Sequence, residues 1–218
     1  MTPLFTSIRI ALLVALVSAF VTGLLVVPAG TMLPVHWGPS GEADGFLPRE
    51  WALLVPLLMV AVVWAIFLVV GRFGRPADIA AGRYSFGVVV TAITGLALVM
   101  EVATVLIGIG VPVNMVQVLG FALGALLVVL GNVMPKSQPN SLAGLRMPST
   151  LNDPANWQAT HRLTGFLCII AGLVLIVAAA LVPTPALIWW LLGCVFAPIL
   201  IGVVYSIRYA RRQKPNGL

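Results

Sequence analysis

Three groups of residues in this 218-residue chain have the types and spacing to do chemistry. The densest is a polar stretch at 131–162, holding Asn132, Lys136, Asn140, Arg146, Thr150, Trp157, Thr160 and His161. Lys136 and Arg146 have no acidic neighbour between Gly131 and Asn152. Such cations suit a lipid phosphate, helix-end carbonyls or an anionic group on a partner: arginine through planar bidentate contacts, lysine as a point charge. The second group lies at 33–46 and includes His36, Trp37, Gly41, Glu42 and Asp44. His36, Glu42 and Asp44 have atoms that can ligate a cation, although His/Asp spacing alone is a weak metal signal. The plainer reading has Ser40 and Asp44 capping turns and His36 making one hydrogen bond. On that reading no metal and no cofactor are expected. The third is Glu101, the only acid well inside an apolar run. A carboxylate there must face the bundle interior, be protonated or find a partner. Thr91, Thr94, Thr104, His36 and Arg49 are the candidate partners. No HExxH, no GxSxG and no acidic pair at helical spacing is present. No catalytic residue is therefore assigned, and an enzyme is not expected.

The elements that must position these groups follow from composition. The chain is 61% hydrophobic and 8% charged, with a mean hydropathy of +1.10. A soluble domain must cover its core with polar surface, and this chain lacks the means. The class is an all-α, polytopic membrane protein. The formal charge is +6. The basic residues flank apolar runs and form no basic face, so they fit topology control and an anionic lipid surface, not direct nucleic-acid contact. Cys168 and Cys194 lie inside apolar runs and read as small buried hydrophobes.

A spanning helix needs about 20 mostly apolar residues. Six stretches qualify: 8–28, 51–71, 85–110, 113–132, 163–182 and 187–207. The first is longer than a signal-peptide core and lacks a good cleavage site, so it is read as a helix. Arg9, the 72–83 and 136–162 connections and the segment from Arg208 to Lys214 fall on one side of a six-helix chain. They hold eleven of the 12 basic residues, and only Arg49 falls on the other side. The positive-inside rule then puts both termini in the cytoplasm. Two connections are long: 29–50 outside and 133–162 inside. This divides the chain into 1–110, with the outer loop, and 111–218, with the inner loop. Long loops on opposite faces of two three-helix halves are the plan of an inverted repeat.

The outer loop has three Gly and two Pro in fourteen residues, which predicts successive tight turns. Trp37 and Phe46 suit the headgroup level. In the inner loop, Pro135, Pro139 and Pro148 stop the preceding helix and Gly144 permits close backbone approach. Thr150–Pro154 then reads as a helix start. Trp157 and His161, four apart, share a face of that helix, with Thr160 and Thr164 on a neighbouring one. Two readings stand: a Trp/His/Thr pocket wall beside Arg146, or an interfacial helix with Trp157 as anchor and His161 at the headgroup boundary.

The inner stretch Gly131-Asn132, Met134-Pro135-Lys136, Pro139-Asn140, Gly144-Leu145-Arg146, Pro148 to Leu151, Trp157, Thr160-His161-Arg162 and Gly165 closely resembles the signature of the SdpI family of bacterial membrane proteins. The outer stretch Leu33 to Trp37 and Ser40 to Gly45 is similar to the small domain of unknown function that commonly precedes it. One departure is Ser149, where family members often carry an aromatic. The resemblance implies a multi-pass protein of the bacterial cytoplasmic membrane. It also implies immunity to a secreted peptide toxin, and capture of a cytoplasmic repressor once the toxin is sensed. The residues alone leave a competing class open: a small ion-coupled transporter using Glu101.

Overall fold

A computed structural model of the chain describes residues 5–213; Lys214, counted above with the C-terminal basic cluster, lies outside the described residues. Among the described residues, seven α-helices and one β-hairpin make up the fold. They run α1 (Ser7–Val26), β1 (Met32–Trp37), β2 (Ala43–Pro48), α2 (Arg49–Phe73), α3 (Pro76–Gly108) and α4 (Met115–Val133). After a 3-10 turn (Met134–Lys136) come the short α5 (Pro148–Leu151), then α6 (Pro154–Leu181) and α7 (Thr184–Gln213). Six helices are long and apolar enough to cross a membrane: all but α5. The chain is a multi-pass membrane protein. Its outward faces carry large apolar side chains such as Leu25 and Leu181, exposed by 80% and 78%. Water would disfavour that surface, whereas lipid matches it.

The helix starts follow local chemistry. The Thr6 hydroxyl accepts from the Arg9 N–H of α1, the Asn114 side chain from Gln117 N of α4, and Asp153 from Ala155 N of α6. Pro76 and Pro154 sit in the first turns of α3 and α6, where their missing N–H costs nothing. α3 begins nine residues before the expected span at Ser85. Charge ends a hydrophobic run but not a helix, so Arg83 lies on α3. At 33 residues, α3 is about 50 Å long and outreaches a hydrocarbon core of about 30 Å.

α1, α2 and α3 pack around two apolar clusters, one with Leu16, Val60, Trp64, Val90 and Ala97, the other with Val27, Leu33, Ala52, Leu53 and Val105. α4, α6 and α7 pack around Val116, Leu127, Leu175, Ala179 and Leu187. α3 packs against α4 and joins the two groups. Lipid tails are as apolar as leucine, so helix association in a membrane depends on close packing of small residues. α4 and α6 show this along their length. Gly120 abuts Ala179, Gly124 abuts Gly172, and Gly131 abuts Gly165.

The outer loop differs from the expected run of turns. It is an antiparallel hairpin, with Met32 opposite Pro48 and Trp37 opposite Ala43, and its register is irregular around His36. Pro34 and Pro48 lie on a two-stranded ribbon, where every strand is an edge and a missing N–H is tolerated, and Pro39 lies in the turn at its tip. Gly41, at φ +82°, turns the tip, and a β-carbon there would collide with Thr184 at the start of α7. Trp37 is half-buried against the α4/α6/α7 cluster. The hairpin therefore reaches from the first helix group onto the second.

Candidate functional site

The inner loop is assembled from buried polar side chains that satisfy one another. Asn140 is buried; its Oδ1 accepts from Leu142 N (2.9 Å) and Ala143 N (2.8 Å), and its Nδ2 donates to Gln138 O (2.8 Å). Thr150 accepts from Met147 N at 3.0 Å and donates to Leu145 O at 2.6 Å. Asn156 Nδ2 donates to Ser149 O and Ser206 O, and Thr160 donates to Asn156 Oδ1. Ser149 Oγ lies 2.8 Å from Ser206 Oγ, which ties the loop to α7. Backbone groups outside regular structure must be paired when buried, and these short polar side chains pair them.

Trp157 and His161 sit at the centre. Their rings stack with centroids 4.0 Å apart and planes 19° apart. The Trp157 indole N–H donates to Ser137 O at 3.2 Å. His161 Nε2 accepts from Leu145 N (3.1 Å), so that nitrogen carries no proton. Nδ1–H then donates to Trp157 O (2.8 Å). This geometry fixes a neutral ring with both nitrogens occupied, which leaves His161 neither a metal ligand nor a free base. Gly144, at φ +105°, brings the loop backbone against the stack; a β-carbon there would collide with His161 Nε2 and lie 3.3 Å from Trp157 Cη2. Trp157 is fully buried, so of the two readings for this helix the interfacial anchor is overturned.

The structure divides the inner candidates. Asn140, Thr150, Trp157, Thr160 and His161 are buried and hold the loop together. Asn132, Lys136 and Arg146 are exposed. Arg146 is aimed by one bond, from Nη1 to Ser141 O at 2.5 Å. Ser141 donates through its hydroxyl (2.5 Å) and backbone N–H (3.3 Å) to Asp78 at the start of α3. Lys136 Nζ lies 5.6 Å from the centre of the Tyr84 ring. The inner loop is thus latched to the first helix group at two points.

On the outer hairpin, His36 Nδ1 lies 2.5 Å from Asp44 Oδ1, and both side chains are more than half exposed. Glycines make room for the pair: a β-carbon on Gly38 would lie 2.7 Å from Asp44, and one on Gly45 would lie 2.9 Å from His36. Ser40 caps the turn by accepting from Glu42 N, and Glu42 is exposed. Asp44 pairs with His36 instead of capping a turn. Among the described residues, no three His, Cys, Asp or Glu side chains come together as a metal cluster.

Glu101 is fully buried and neither carboxylate oxygen has a hydrogen-bond partner. Every partner expected from the sequence is engaged elsewhere. Thr91 and Thr104 donate to the Gly87 and Met100 carbonyls, and Thr94 to that of Val90. His36 holds Asp44. Arg49 bonds Glu50 and the Leu24 and Val27 carbonyls, closing the C-terminus of α1. The carboxyl group sits one turn from Ala97 on one side and from Val105 on the other, between the two apolar clusters.

Comparison with known proteins places this architecture. The SdpI/YfhL protein family matches residues 136–206, the segment holding the buried network from Ser137 to Ser206. The likeness to that family covers about a third of the chain. A domain of unknown function, DUF1648, matches residues 11–60 and is centred on the outer hairpin. Over 79 residues the chain is 32% identical to the immunity protein SdpI of Bacillus subtilis (strain 168), covering 36% of this chain and 38% of that protein. The match thus spans well under half of the relative's length. No solved structure matches.

The SdpI segment also contains residues that sequence reasoning did not single out. Asn156 and Ser206 are fully buried and carry the bonds from the loop to α7. Their signal was weak: Asn156 falls in the first turn of α6 among the residues of a helix start, and Ser206 is a single small hydroxyl near the end of a long apolar run. Ser137 and Ser141 act through backbone or hydroxyl groups that residue type alone does not advertise.

Proposed function

We propose that the chain is an immunity and receptor protein of the bacterial cytoplasmic membrane, protecting its host from a secreted antimicrobial peptide. The observation that carries this reading is the inner loop of the SdpI-like segment, held by buried Asn140, Thr150, Asn156, Trp157, Thr160 and His161 while Asn132, Lys136 and Arg146 stay exposed. In this reading both termini are cytoplasmic. The exposed His36–Asp44 pair and Glu42 meet the peptide outside. Asn132, Lys136 and Arg146 meet an acidic surface of a cytoplasmic regulator inside. The protein acts by binding, not by catalysis. Sensing at one face reaches the other through the contact of Gly41 and Trp37 with the second helix group and through the Asp78–Ser141 latch. The test is survival of a sensitive host expressing the protein when the toxin countered by the Bacillus subtilis relative is added. Wild type protects, and His36→Ala and Arg146→Ala each lower survival. Full protection by either variant takes that side chain out of the site, and a wild type that gives none overturns the role.

A second reading, a small ion-coupled carrier, is favoured by one observation: a fully buried Glu101 without a hydrogen-bond partner. It predicts cation flux in proteoliposomes that Glu101→Gln abolishes. Absence of proton, sodium and potassium flux counts against it.

A further inference from the structure

A cleft of about 380 Å³ opens between α1, α3 and α4, away from the inner-loop network. Its lining is graded. Arg83 and Tyr84 lie at one end, and Val88, Ala92 and Val129 line the other. Arg9 stands between them, buried, with its guanidinium held by Thr91 Oγ1 at 2.9 Å and by the Gly87 carbonyl at 2.8 Å. Lys136 adds a cation at the Tyr84 end, where its ammonium sits over the ring. Among the described residues, no Asp or Glu lines the cleft. From Arg83 to Ala92 is nine residues of α3, about 13 Å along the membrane normal.

A free anion would need only the basic end. A neutral lipid would need only the apolar end. The gradient fits a molecule that is anionic at its head and apolar below it, and the basic end faces the side of the membrane where most of the chain's cations lie. We infer that this cleft binds one anionic phospholipid. The phosphate diester is held by Arg83 with Lys136 beside it, the engaged Arg9 forms the wall below, and an acyl chain lies along Val88, Ala92 and Val129. Arg83 supplies planar N–H donors to the phosphate oxygens, and Lys136 supplies a point charge. Val129 belongs to α4, so the lipid spans the seam between the two helix groups. This goes beyond the immunity reading and does not depend on it.

The test uses the purified full-length protein in neutral detergent. It is titrated separately with phosphatidylglycerol, with phosphatidylcholine of the same chains and with inorganic phosphate, and bound lipid is counted by native mass spectrometry. Phosphatidylglycerol saturates at one per chain, phosphatidylcholine does not, and inorganic phosphate fails to displace the lipid. Arg83 and Lys136 are exposed, so Arg83→Gln and Lys136→Gln leave the fold intact. Each weakens binding about fivefold, and together about thirtyfold. Arg211→Gln, an exposed cation of α7 outside the cleft, changes nothing. Wild-type affinity in the double variant, an equal loss in Arg211→Gln, or displacement of the lipid by inorganic phosphate each overturns the assignment.

Discussion

Adding one methyl group to Gly131 should part α4 from α6. A β-carbon on Gly131 would lie 2.5 Å from the Gly165 carbonyl oxygen and 2.9 Å from Ile169 N. Both are backbone atoms of a helix and cannot rotate away. Ordinary contact begins at 3.4 Å, so the helices must separate by about 0.9 Å at this level. A gap of that size forfeits about a quarter to a half of the dispersion well for each facing atom pair. Overpacking of this kind costs about 1–3 kcal/mol. The same separation moves Pro135, which packs on Gly165, and so loosens the base of the inner loop. The assay is thermal unfolding in detergent, with Gly95→Ala as the control because nothing lies within 4 Å of a β-carbon there. Gly131→Ala lowers the midpoint, whereas Gly95→Ala holds or slightly raises it by restricting the unfolded chain. Equal midpoints for the two variants would refute the argument that glycine contacts hold this seam.

Three further outcomes follow from the same geometry. His161→Ala removes the acceptor for Leu145 N and the ring beneath Trp157, leaving a buried donor unpaired at about 1–3 kcal/mol; hydrogen exchange should rise at Leu145 while amides of α2 stay protected. Glu101→Leu replaces a buried carboxyl group that has no hydrogen-bond partner, so it should raise the unfolding midpoint, and a lower midpoint would mean that the carboxyl group is paired in the membrane. Asp78→Ala removes the acceptor of both Ser141 bonds on an exposed surface and should leave stability nearly unchanged, while increasing proteolysis within residues 138–147.

The helices were legible because a membrane demands long apolar runs, and hydropathy reads these directly. The Trp157/His161 face was legible because helical periodicity puts residues four apart on one side. Whether that face lined a pocket or the core was not, since it depends on Gly144 and Ser137 arriving from a loop. The hairpin was hidden by its Gly and Pro content: composition suggests turns, and only the packing of Trp37 and Gly41 on the second helix group makes strand pairing the better solution. The start of α3 is not legible in hydropathy because Asp78 and Arg83 end the apolar run while the helix continues through them. The surroundings of Glu101 were illegible because each neighbouring threonine bonds its own helix backbone, a choice that spacing does not reveal. The glycines of α4 and α6 stood in plain view at 124, 131, 165 and 172; what they touch required the crossing of the two helices.

In the proposed function the protein meets a toxin outside and a partner inside, and the exposed His36–Asp44 pair is where the outer half is tested. Surface pairs of this kind contribute only about 0–1 kcal/mol, so removing it leaves folding unaffected. The measurement is survival of toxin-treated cells carrying His36→Ala/Asp44→Ala at the membrane level of wild type. Wild type should protect strongly and the double variant should not; equal survival of the two strains would remove the pair from the toxin site and overturn the proposed outer half.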